Sequence, residues 1–210
     1  MTAITGQIGV TKRPGELGVH SLGMFNMVVP DLKVAQEFYT AFGLEVKEEG
    51  NALGLYTYGN QHRWMSLNEG KRKQLNALSF SVFEEDFEPM KKRIEDQGIK
   101  LIDAPRGIDS NGIWFRDLNG LLVEVKVAEK TSPNAKVDFG KMEVSSPANV
   151  VGSFGHLNKP EVRPLRFAHM LIFAPDIPGS IEFYARILGM RLSDRTGDMI
   201  AFMHGIHGSD

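Results

Sequence analysis

The chain has 210 residues, 42% of them apolar and 24% charged, with a formal net charge of −2 and no cysteine. That length suits one large domain or two small ones, and the composition excludes a disordered or fibrous protein. A charge near zero without basic runs excludes a general pull toward nucleic acid or anionic membranes; no apolar run reaches the ~18 residues that span a bilayer; and the missing cysteines exclude disulfides, thiolate nucleophiles and cysteine-bound metals. A cysteine-free chain without a secretory signal fits the cytoplasm, where we expect it.

Residues 1–22 read as an N-terminal arm. A mostly apolar run at 24–29 reads as a strand and leads into Pro30-Asp31-Leu32 and Glu37-Phe38-Tyr39. Ala35, Phe38, Tyr39 and Phe42 recur at i, i+3, i+4 and i+7, which makes one helical face apolar. Asp31 stands where an N-cap acceptor belongs, and Gly43 where a left-handed residue ends a helix. Short strands follow at 44–47, 53–58 and 63–67, punctuated by Asn51 and Gly59-Asn60. The order is β-α-β-β-β.

A second unit of this kind follows directly. Its strand runs over 75–82, and its helix opens at Glu84-Glu85-Asp86 and stops at Gly98, with Phe87, Met90, Lys91 and Ile94 on one face. The acidic opening and the later Lys91-Lys92-Arg93 complement the helix dipole. Strands are predicted at 99–102, 112–116 and 121–127, the last two joined through the hairpin dipeptide Asn119-Gly120. Residues 23–128 thus read as one module of two units. Residues 129–164 carry Pro133, Pro147, Pro160 and Pro164 without a sustained period, and read as a linker.

The opening pattern then returns 145 residues after its first appearance. A strand is predicted at 167–174, followed by Pro175-Asp176-Ile177, Glu182-Phe183-Tyr184 and the stop Gly189, with Ile181, Tyr184, Ala185 and Leu188 on one face. Residues 165–210 read as the start of a second, truncated module. The predicted fold is α+β, with tandem βαβββ units forming cup-shaped mixed sheets, the second module incomplete. Open sheet edges of that kind invite pairing, so a homo-oligomer is expected.

Three histidines and one glutamate carry the chemical possibilities. His169 shares a strand face with Leu171 and Phe173, which makes it a metal-ligand candidate and its two neighbours pocket-wall candidates; the plainer reading is a hydrogen-bonded core histidine. Glu124 shares a face with Leu122 and Lys126. It reads either as a glutamate beside a lysine on a wet face or as a carboxylate pointing into a cup. His204 and His207, with Gly205 and Gly208 beside them, line a pocket mouth or merely cap a hairpin. His62 lies in a turn and points to nothing specific. Phosphate loops, dinucleotide fingerprints and serine elbows are absent from the sequence.

His169 with the Pro175-Asp176 and Phe183-Tyr184 pairs, and the turn Asp117-Leu118-Asn119-Gly120 leading to Glu124, resemble the vicinal oxygen chelate superfamily of glyoxalases, bleomycin-resistance proteins and type I extradiol dioxygenases. The likeness covers about 23–127 and 165–210 and is closest to the two-module extradiol enzymes, whose leading module has lost its metal. Met24 and Ala77, standing where that family places histidines, agree. The resemblance implies that His169 is one ligand of a two-histidine, one-carboxylate Fe(II) site, whose open positions suit a small aromatic diol and dioxygen. The remaining ligands and the acid–base histidine are expected after Asp210, so the 210-residue form is expected to hold iron weakly. Two further readings stay open: a glyoxalase-like isomerase or lyase using another divalent metal, and a non-enzymatic module holding an aromatic ligand.

Overall fold

A computed structural model describes residues 15–105, 108, 110–131 and 163–206. The first unit runs β1 (Ser21–Val29), α1 (Leu32–Ala41), β2 (Glu45–Glu49), β3 (Ala52–Tyr56) and β4 (Arg63–Glu69). The second runs β5 (Gln74–Val82), α2 (Glu84–Asp96), β6 (Ile113–Arg116) and β7 (Leu122–Val127). The third supplies α3 (Ile177–Leu188), β8 (Arg191–Thr196) and β9 (Ile200–His204). The fold is α+β, and no helix among the described residues is long and apolar enough to cross a membrane. The predicted linker lies largely outside the described residues.

Both copies of the helix start as their sequences dictate. The Asp31 carboxylate accepts from the Val34 N–H at 3.0 Å and the Asp176 carboxylate from the Gly179 N–H at 2.9 Å, each satisfying a donor that the first turn leaves orphaned. Gly43 and Gly189 end them at φ +96° and +69°, a region closed to most side chains.

Units one and two share one mixed sheet of seven strands, ordered β2-β3-β4-β1-β5-β7-β6. β1 pairs with β4 in parallel, β5 pairs with β7 in parallel, and β1 meets β5 antiparallel. The halves therefore mirror each other about the β1–β5 seam. The strand predicted at 99–102 is reduced to one bridge, Ile102 to Trp114, which takes the place of β2 in the second half. β8 and β9 form a separate antiparallel hairpin.

Strand alternation divides the sheet into two buried faces. Phe25, Leu55, Leu67, Leu78, Phe80, Val123 and Val125 join Met90 and Ile94 of α2 and Phe183, Ile187 and Leu188 of α3 in one apolar core. The opposite face carries Met24, Trp64, Ser66, Ala77, Ser79, Trp114 and Glu124, all buried.

The predicted strand at 167–174 is not paired in a sheet: these residues carry no ladder. A strand exists only where a neighbour takes up its backbone groups, and none of the described strands does so here. Its alternation survives from residue 169 onward. Met170 and Ile172 pack on the apolar core, while His169, Leu171 and Phe173 are exposed.

Candidate functional site

Among the described residues, the buried polar face of the leading module contains one carboxylate. Met24 of β1 lies opposite Ser79 of β5, Ser79 opposite Glu124 of β7, and Glu124 opposite Trp114 of β6, so four strands contribute to one row. Glu124 is 1% exposed, which overturns its reading as a glutamate on a wet face. Both its oxygens are taken: Ser79 Oγ donates to one and Ser110 Oγ to the other. The Lys126 ammonium stands 3.9 Å from Oε2. Gly112 leaves room for the carboxylate to lie against the backbone, since a Cβ there would stand 2.6 Å from Glu124 Cγ. The remaining positions of the row hold a thioether, an indole and a methyl (Ala77, one step along β5), which are poor ligands for a hard or borderline ion. Around Glu124 the hydrogen bonds form a closed knot, while the Trp114 Nε1–H beside it has no partner among the described residues.

His62 borders the same face. Its Nε2–H donates to the Gly23 carbonyl at 2.6 Å, and its ring meets Trp64 edge-on with centroids 4.4 Å apart. Burial of the ring holds its pKa below the ordinary histidine value, and the nearby Lys126 and Arg63 charges push the same way. At the outer end of the sheet, Tyr56 and Arg63 both donate to Glu49. Burial and the bond to Glu49 raise the Tyr56 phenol to about 12.

The third unit presents its candidates differently. His169 is exposed, with Leu171 and Phe173 beside it on one face, and Phe173 is 97% exposed. Leu171 and Phe173 line a groove of about 640 Å³ whose other wall is Met27, Leu75 and the Asp117–Leu121 turn. His204 lies at the end of β9, opposite Arg191 of β8, and its Nδ1–H donates to the Gly205 carbonyl at 2.6 Å. No hydrogen bond among the described residues joins it to His169. His207 lies outside the described residues. Among those residues, no three histidine or acidic side chains gather as a metal site. A single imidazole does not hold Fe(II) in a two-histidine, one-carboxylate set, so the described residues do not by themselves fit the implied iron.

One contact between units escaped the sequence reading. The Tyr184 hydroxyl of α3 donates to the buried Asp117 carboxylate at 2.8 Å. The other oxygen of Asp117 accepts from the Asn119 and Leu121 N–H groups, both at 2.8 Å. Burial, reinforced by the Asp117 charge, raises the Tyr184 phenol far above its ordinary value, so it stays a donor. The turn that closes unit two is thereby fastened to the helix of unit three, across 67 residues of sequence. The repeated Phe-Tyr pair was the available signal, but nothing in the sequence named its acceptor.

Comparison with known proteins agrees with this architecture. The model of the Glyoxalase/Bleomycin resistance protein/Dioxygenase superfamily matches residues 21–125 and 166–209. Metapyrocatechase 2 of Cupriavidus necator is 41% identical over 199 residues, which is 91% of this chain and 59% of that protein. The chain therefore spans about three fifths of the length of the curated relative it matches. Among solved structures, the Mn(II)-bound glyoxalase from Novosphingobium aromaticivorans shares the fold at TM-score 0.66 and 20% identity, over 89% of this chain and 58% of that one. The 2,3-dioxygenase LapB from Pseudomonas sp. KL28 does so at TM-score 0.64 and 18% identity, over 90% and 67%.

Proposed function

Because the chain belongs to the Glyoxalase/Bleomycin resistance protein/Dioxygenase superfamily, we propose that the whole protein is an extradiol-type ring-cleavage dioxygenase of catecholic compounds. The observation that carries this reading is the 41% identity to metapyrocatechase 2 over nearly the full chain. The substrates are a small aromatic diol and one dioxygen, both of whose atoms enter the product as the ring opens beside the diol. The cofactor is a divalent metal, and we take it to be Fe(II). When bound, such an ion acidifies the diol hydroxyls and brings them together with dioxygen.

His169 is the one ligand this chain supplies, and the rest of the set comes from the part of the protein that the chain does not span. Its exposure supports that role, because an imidazole with no hydrogen-bond partner among the described residues is available to an ion. Leu171 and Phe173 offer an apolar wall on the same face, suited to an aromatic ring. The Asp176 cap and the Tyr184–Asp117 bond hold the helix that follows, and so fix where the His169 segment lies. A cytoplasmic setting and homo-oligomeric assembly belong to the same proposal.

The test is aerobic incubation of the whole protein with catechol while following oxygen uptake and the yellow ring-fission product. Turnover is expected, and His169→Ala is expected to lower it by more than about a hundred-fold, beyond the loss typical of changes around a metal site. Undiminished turnover in that variant would remove His169 from the site.

A further inference from the structure

A groove of about 440 Å³ lies where units two and three meet, and the ring-cleavage reading does not use it. Three guanidinium groups line it, Arg93 from α2, Arg186 from α3 and Arg191 from the start of β8. Glu16, in the segment that leads into β1, is the one carboxylate among the described residues lining it. Three cations against one anion leave an excess of two positive charges, on a chain whose formal net charge is −2.

The plain reading of arginines at a helix end is that they offset the macrodipole. The end of α3 supplies only about half a negative charge, too little to balance this excess. Internal partners leave most of the donors unused. Arg191 donates to Glu16. Arg93 gives one N–H to the Leu17 carbonyl at 2.7 Å, and Arg186 one to the Gln97 side-chain oxygen at 2.6 Å. Neither of these two is hydrogen-bonded to a carboxylate among the described residues, and a guanidinium carries five donors. Arg93 is also partly buried, an environment that penalises a charge without a bonded counter-charge; the Asp86 charge acts on it, but Asp86 does not line the groove.

The backbone is shaped to admit Arg93. Gly189 has φ +69°, and a Cβ there would stand 3.1 Å from Arg93 Nη1 and 2.7 Å from Gly18 Cα. We infer that this groove binds a small organic dianion, a phosphate ester or a dicarboxylate, through the guanidinium groups of Arg93 and Arg186. Planar forks of N–H donors match the paired oxygens of both head groups. The volume is that of a small-molecule site and far exceeds one inorganic ion, while Leu17 and Ile206 give the ligand's carbon part an apolar neighbour. Because the lining comes from units two and three together, a bound dianion fastens one to the other. The inference stands apart from the ring-cleavage reading, since its test involves no turnover.

The experiment is calorimetric titration and thermal unfolding of the whole protein with glycerol 3-phosphate and with succinate, sodium chloride holding the ionic strength constant. At least one of the two dianions should bind and, near saturation, raise Tm by about 2 °C or more. Tighter binding of the ester points to a phosphoryl group, and tighter binding of succinate to paired carboxylates; either supports the site. Arg186→Gln should weaken binding about ten-fold, and Arg93→Gln at least as much. The Arg186 bond to Gln97 is exposed, so Arg186→Gln should leave the ligand-free Tm within about 1 °C and separate lost binding from lost folding. Failure of both dianions to bind, or binding of equal strength in wild type and both variants, would overturn the inference.

Discussion

Met24 and His169 occupy matching places in the repeat, 145 residues apart, yet their surroundings differ. Met24 lies in a row whose one carboxylate, Glu124, is consumed by Ser79 and Ser110. His169 stands exposed beside Leu171 and Phe173 and has no hydrogen-bond partner among the described residues. A polar group can be satisfied by the protein or kept available to a ligand, and one side chain cannot do both. In the proposed reading the leading module has taken the first course and serves as a scaffold, and the trailing unit has kept the second.

The largest effect on the scaffold side comes from its knot. Glu124→Ala leaves the buried Ser79 hydroxyl, the half-buried Ser110 hydroxyl and a lysine without their acceptor and opens a cavity. It should cost about 3 kcal/mol of unfolding free energy in urea, while turnover of the surviving folded protein stays near wild type. Lost turnover at full stability would erase the contrast between the two regions. The joint between them is probed by Tyr184→Phe, which strips one donor from a buried carboxylate and should cost about 2 kcal/mol. An unchanged unfolding midpoint would mean that Asp117 is held by its own turn alone.

The smallest effect is a pH dependence. Burial lowers the folded-state pKa of His62 below 6.5, so the unfolded chain takes up the proton first. The stability this group contributes is complete above about pH 6.5, and it is lost as pH falls from there through the lowered value. His62→Gln keeps a donor for the Gly23 carbonyl and should flatten the decline of Tm between pH 7 and 5. An equal slope in both proteins would place the acid sensitivity elsewhere.

Much of this was legible in the residues themselves, because the signals are local. Asp31 and Asp176 cap their helices as their positions imply, Gly43 and Gly189 end them, and the repeat of Phe-Tyr marks the two copies. The errors are non-local. Residues 167–174 have strand composition, but a strand also needs a neighbour. Glu124 and Lys126 alternate correctly, yet the burial of that face depends on the Ser110 loop, 14 residues away. Tyr184 and Asp117 each look ordinary, and their bond exists only once unit three lies on unit two.

The central contention is that ion binding belongs to the trailing unit and not to the leading module. Iron content per chain of the whole protein, measured for wild type, His169→Ala and Glu124→Gln, tests it most directly. We predict that iron falls sharply in His169→Ala and is retained in Glu124→Gln. Iron that survives loss of His169, or leaves with the Glu124 carboxylate, would contradict it.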